Sequence, residues 1–152
     1  MSQIDEYQTN ARKDWMGLLA RSPAPEVARL WADLGLQPQY DMLRAPEAGG
    51  VMVRGRAGAT GAPFNLGEMT VTRCSLRLMS GEVGHAYVQG RDKTHATTAA
   101  LIDALMQTQA AGSLRAAILD PLRARLTQDR TARRAKAAAT KVDFFTMARG
   151  ED

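Results

Sequence analysis

The sequence predicts an α+β fold: a four-stranded, mostly antiparallel sheet packed against helices, with two N-terminal helices and a helical C-terminal part. Three observations carry that expectation. Apolar residues recur at helical spacing as far as Leu34, the period changes to two between Gln39 and Gln89, and a helical period returns after Asp92. A length of 152 residues suits a single domain, 1–152, with a modest core.

In the first helix, Trp15, Leu18 and Leu19 share a face, and Arg21-Ser22-Pro23 ends it. Ser22 is a candidate cap for a second helix from about Pro23 or Pro25 to Leu34. That helix carries Val27, Leu30, Trp31 and Leu34 on one side, and Gly35 stops it. Both tryptophans fall in these helices, which marks them as core or interface anchors.

Tyr40–Arg44 reads as a short first strand ended by Pro46, and Gly49–Arg56 as a second. Gly55, Gly58 and Gly61 then form a loop that lacks the lysine and Ser/Thr of a P-loop, so a hairpin connection is expected. Extended sequence resumes at Phe64. Its clearest part, Thr70–Met79, puts Thr72, Cys74, Leu76 and Leu78 on one face and Val71, Arg73, Ser75 and Arg77 on the other. Cys74 is therefore expected as a buried structural thiol. Ser80-Gly81 turns the chain into a fourth strand, Glu82–Gln89.

Gly90-Arg91-Asp92-Lys93-Thr94-His95-Ala96 joins this strand to a helix expected to run to about Ala111, with Asp92 as its cap. A glycine turn into a helix start directs backbone N–H groups and the positive end of the helix dipole at one spot. Gly90, Arg91, Asp92, Lys93 and His95 are thus candidate residues of an anion-binding corner. The competing reading is a capped helix start with two solvated cations. Asp103, inside an apolar run, must either face solvent or have a polar partner.

Gly112-Ser113 reads as the end of that helix and the cap of the next, and Asp120-Pro121 as a further helix start. Between Arg123 and Lys141 stand seven Lys/Arg against one acid, Asp129, so the net charge of +4 is concentrated there. Apolar content fades after Leu126, which describes a helix with high propensity and little to bury. The end of the chain nevertheless holds Val142, Phe144, Phe145, Met147 and Arg149. Residues of this kind either fold back on the core or are offered to another protein.

Much chemistry is disfavoured. One cysteine can form neither an internal disulfide nor, alone, a zinc site, and two histidines ten residues apart are a weak metal signal. No nucleophile elbow or distinguishable carboxylate pair is present. No apolar run of about eighteen residues spans a membrane. The aromatic–basic interleaving of single-strand nucleic-acid binders is missing, so no nucleic-acid partner is expected. The acidic start, Met1–Glu6, lacks the form of a signal peptide, and a cytoplasmic location is expected.

The segment Gly84–Ala96 closely resembles the corresponding part of the G subunit of the bacterial carbon–phosphorus lyase core complex, the PhnG family. Ala100–Met106 and Val142–Gly150 resemble it too, as do Asp14-Trp15-Met16 and Thr70–Arg73 upstream. The similarity runs nearly end to end, with the extreme N-terminus and Ala111–Ala139 divergent. It implies a subunit and no solitary catalyst: a partner of H, I and J subunits and of the L protein in alkylphosphonate catabolism. The implied step, with H, I and L, is displacement of adenine from ATP by a phosphonate, giving an α-D-ribose 1-(alkylphosphonate) 5-triphosphate. ATP is then a substrate of the complex, with no cofactor or metal bound by this subunit and no catalytic residue of its own. The I subunit is the implied carrier of the transfer chemistry, and radical C–P cleavage belongs to J. The resemblance favours residues 121–152, with Val142, Phe144, Phe145, Met147 and Arg149, as a partner-docking part. A scaffold role is the main expectation, and an anion-binding corner lent to ATP triphosphate or phosphonate is the alternative.

Overall fold

The computed structural model describes residues 3–56, 61 and 63–149, with the side chains of 56, 63, 65 and 142–149 outside that description. Two helices come first, α1 (Gln3–Arg21) and α2 (Ala24–Leu34), followed by strands β1 (Tyr40–Arg56), β2 (Pro63–Leu78) and β3 (Val83–Gln89). Then come α3 (Lys93–Leu105), α4 (Ala111–Leu114), a π-helical turn (Arg115–Leu119) and the long α5 (Asp120–Arg149).

Among the described residues the sheet has three antiparallel strands in the order β1-β2-β3, which corrects the expected four. The two short strands anticipated on either side of Pro46 are one strand. Register slips between Met42 and Arg44, and again between Arg44 and Glu47, absorb the irregular residues. Proline lacks a ladder donor, but β1 is an edge strand, where a bulge accommodates it without a lost bond to a second neighbour. The α+β class itself stands.

β2 buries Thr72, Cys74, Leu76 and Leu78 on one face, as its alternation predicts, and β3 buries Gly84, Ala86 and Val88 beside them. Against this face lies α3, inaccessible on nearly every side, with Ala96, Ala99, Ala100 and Ala104 among its buried residues. Small side chains let the helix approach closely. A Cβ on Gly84 would come within 2.0 Å of the Ala100 carbonyl oxygen. Leu18, Leu19, Val27, Leu30, Leu114, Ile118, Leu119 and Leu122 belong to the same core and complete a helical layer around α3.

Two expected caps differ. Ser22 is buried and its hydroxyl donates back to the Leu18 carbonyl at 2.6 Å, closing α1; Pro23 stands at the N-cap of α2 with no side-chain bond. Gly35 does close α2, at φ +72. The helix expected to reach Ala111 ends at Leu105, and Ser113 lies inside α4 instead of capping it. α5 does begin at Asp120, as the Asp120-Pro121 signal predicts, but Asp120 is itself helical and is no cap. The chain passes through it continuously, with the Asp120 N–H bonded to the Arg115 carbonyl. Proline has no N–H and its ring crowds the carbonyl four residues back, so a wider π turn just before it is the accommodating geometry.

Two elements leave the core. β3 pairs with β2 only from Val71 to Arg77, and one further bond joins the Gly90 N–H to the Thr70 carbonyl. Beyond that point β1 and β2 continue as a two-stranded arm with Met52, Phe64 and Leu66 exposed. α5 is tied down by buried Leu122, half-buried Leu126 and ion pairs from Arg123 to Asp14 and from Arg125 to Glu26. From Thr127 to Lys141 every residue is exposed. At 1.5 Å per residue, the helix past Leu126 extends about 35 Å. Among the described residues no helix is long and apolar enough to cross a membrane.

Candidate functional site

The corner after β3 is built by backbone geometry. Gly90 adopts φ +92, a conformation that L-residues avoid, and turns the chain from sheet to helix. Its carbonyl accepts from the Thr72 hydroxyl at 2.7 Å. Asp92 caps α3 as expected, its carboxylate accepting from the His95 N–H at 2.9 Å. A carboxylate therefore already occupies part of the helix start, which favours negative charge.

The candidate residues part company from here. His95 is buried, and its Nε2–H donates to the Leu19 carbonyl of α1 at 3.0 Å. Burial pushes its pKa below the usual histidine value, against opposing pulls from that carbonyl and Asp92. Arg91 and Lys93 are exposed. Arg91 lines a cleft of about 200 Å³ with Ala48, Gly49, Gly50, Thr70 and the carboxylate-bearing Glu68. The structure thus joins Gly90, Asp92 and His95 in a helix start that docks α1, and leaves Arg91 and Lys93 outside. The side chains of Val142, Phe144, Phe145, Met147 and Arg149 lie outside the described residues; the backbone there continues α5.

Asp103, an acid within the apolar run of α3, has its partners on α1 and β3. Its side chain is fully buried and accepts four hydrogen bonds. Arg12 binds both carboxylate oxygens, at 3.1 and 2.8 Å, the Trp15 indole donates at 2.8 Å and the His85 backbone N–H at 2.8 Å. Arg12 also donates to the Val83 carbonyl at 3.1 Å, and Gln107 reaches the same carbonyl at 2.9 Å. The hydrogen bonds to Asp103 hold the Arg12 guanidinium more firmly protonated than usual. The consequence is architectural: at the start of the outer edge of β3, side chains take the His85 N–H and the Val83 C=O. An acid within an apolar helix, with Arg and Trp at i and i+3 on a distant helix, was the only signal available.

Cys74 is buried with its thiol directed at the Ala96 carbonyl, 3.2 Å away, and burial raises its pKa to about 11. It is a packing residue and no nucleophile at neutral pH. The two histidines do not meet, since His85 is exposed on the outer face of the sheet and His95 is buried against α1. Among the described residues, no group of three or more His, Cys, Asp or Glu is placed to hold a metal ion.

A small α+β core with an arm and a long helix reaching beyond it is the form of a protein that assembles with others. Residues 10–150 match the family described as phosphonate metabolism protein PhnG. The chain is also 44% identical, over 148 residues, to the alpha-D-ribose 1-methylphosphonate 5-triphosphate synthase subunit PhnG of Rhizobium meliloti (strain 1021). That alignment covers 97% of this chain and 95% of the relative. The chain belongs to the PhnG family.

Proposed function

We propose that this protein is the G-type subunit of an alpha-D-ribose 1-methylphosphonate 5-triphosphate synthase, acting within a multi-subunit complex in phosphonate catabolism. The relative at 44% identity over nearly its full length carries that name. The observation that carries an assembly role is structural. The β1–β2 arm and α5 past Leu126 leave exposed surface that the chain's own core does not use. A two-stranded ribbon is marginal in water by itself, and an interface can supply what its core lacks.

In this reading the protein is a scaffold in the cytoplasm that organises the H, I and L proteins, and J in the core complex. It binds no cofactor, and ATP is a substrate of the assembly. Adenine displacement is carried by another subunit. Co-expression with the I subunit, followed by purification through a tag on this chain, tests the assignment: the two are expected to elute as one stoichiometric species. Elution of this chain alone under conditions where I is folded sinks it.

A second reading lends Arg91 and Lys93 to the triphosphate of ATP or to the phosphonate, favoured by their joint exposure at the start of α3. Replacing both by Ala in the reconstituted complex separates the readings. A normal ribosyl-transfer rate with normal assembly removes the second.

A further inference from the structure

The long helix α5 meets the rest of the chain through one face, and that face has a definite make-up. Leu122 and Leu126 form its middle row, buried and half-buried. On one flank Arg123 pairs with Asp14 of α1, and on the other Arg125 pairs with Glu26 of α2. At about 100° per residue, the two arginines stand on opposite sides of the leucine row, each about 80° from it.

Beyond Leu126 the chain's own core ends and the same face changes character. Between Thr127 and Lys141 there are five cations, Arg130, Arg133, Arg134, Lys136 and Lys141, against one acid, Asp129. The helical period places all five within about 160° of arc, centred close to the direction in which Leu122 and Leu126 point. The opposite half is uncharged, with Gln128, Thr131, Ala132, Ala135, Ala138 and Ala139. A surface helix that only faces water carries its charges away from the core side. Here the charges are on it.

We infer that this half of α5 docks an acidic surface of a partner protein, whose carboxylates pair with Arg130, Arg133, Arg134, Lys136 and Lys141. The root of the helix shows the chemistry that the face accepts, since its arginines there take carboxylates presented by neighbouring helices. The distal cations are uncommitted. Among the described residues none of the five has an ion pair, and all are exposed. Arg133, Lys136 and Lys141 line one open hollow with Ala137 and Thr140, so a carboxylate entering it meets several donors and no bulky side chain. Exposed ion pairs contribute little singly, whereas a row of them steers association and rejects partners of the wrong charge.

A nucleic acid fits this face less well. Asp129 stands among the cations, and Asp14 and Glu26 lie at the root of the same half. A protein surface can leave a gap opposite each of these acids, but a continuous polyanion laid along the helix must pass all three. A second copy of this chain is also disfavoured, because the acids that α1 and α2 bring to this face are already paired.

This inference deepens the subunit reading and rests on it. The complex purified through a tag on this chain is treated with a carbodiimide, which joins an amine to a carboxylate only where the two touch, and the links are mapped by mass spectrometry. Lys136 and Lys141 are expected to be joined to Asp or Glu of another subunit. A complex that forms with both lysines unlinked, or linked only to copies of this chain, overturns the inference and leaves the subunit reading standing. A chain that elutes alone sinks both.

A second measurement tests the face itself on the isolated full-length chain. Fluorescence anisotropy follows the binding of a labelled alanine–glutamate helical peptide with its glutamates along one side, and separately of a DNA duplex, at one physiological ionic strength. Saturable binding of the peptide is expected. Arg130→Ala with Arg134→Ala is expected to weaken it about fivefold, the summed effect of two exposed ion pairs. Ala132→Glu with Ala135→Glu makes the same change of net charge on the opposite half and is expected to weaken it less than about twofold, because those charges are screened across the helix. All four positions are exposed, and unchanged melting curves verify that the variants fold. Equal weakening by the two variants, no saturation, or a duplex bound more tightly than the peptide would each overturn the inference.

Discussion

Arg12 and Asp103, ninety-one residues apart, meet in a two-pronged ion pair at 3.1 and 2.8 Å, with the carboxylate fully buried and the guanidinium one-third exposed. The pair joins α1, β3 and α3. Its two members also bond the Val83 C=O and the His85 N–H at the start of the outer edge of β3, which pairs with no further strand among the described residues.

Asp103→Ala is expected to destabilise the protein by about 3 kcal/mol or more, because it strands the Trp15 indole, the His85 N–H and a partly buried guanidinium together. Asp103→Asn is expected to cost less, since an amide oxygen still accepts. Urea unfolding of the two variants checks the order; equal stability would show that the network is not under load.

His95 predicts a pH dependence. Its folded pKa lies below its ordinary value of 6.5 because burial disfavours the charged ring. Well above pH 6.5 the ring is neutral in both states and contributes no slope. As the pH falls from there toward the folded value, the unfolded chain takes up the proton and the folded chain does not. Stability therefore declines across that window and levels off beneath it. Asp92, the charged group that faces His95, opposes the shift and limits it. His95→Gln is expected to flatten this part of the stability profile, read as melting temperature against pH.

Gly84→Ala is expected to destabilise by about 1–3 kcal/mol. The new methyl would meet the Ala100 carbonyl oxygen at 2.0 Å and Ala104 Cβ at 2.8 Å, so β3 and α3 must separate. Thermal unfolding reads the effect. Gly49→Ala, where a Cβ meets nothing within 4 Å, is the matched control.

Phe64→Ser with Leu66→Ser on the arm is expected to leave the chain's own stability within about 0.5 kcal/mol, since both side chains are exposed. The same pair is expected to weaken assembly with the I subunit. Truncation before Asp143 tests the tail expectation in the same assay, and normal assembly would remove the tail from the interface. Loss of folding in the arm variant would mean that the arm belongs to the core.

Local pattern is what the amino-acid order determined here. The alternation of Thr72, Cys74, Leu76 and Leu78, the Gly35 stop, the Asp92 cap and the fading of apolar residues along α5 all depend on neighbours within a few positions. Each appears in the structure where the spacing places it. The family was legible for the same reason, since its motifs are contiguous. Tertiary structure decided the rest. Pro46 would end a strand judged alone, yet it is accommodated because β1 happens to be an edge and can bulge. His95 looked like a member of the corner, but the Leu19 carbonyl arriving from α1 turns it inward. Asp103 could not be understood without Arg12 and Trp15, and Arg44, Ser75 and His85 share a row only through strand register. Periodicity is a property of adjacent residues, whereas partners across ninety positions are chosen by packing, and no local spacing encodes that choice.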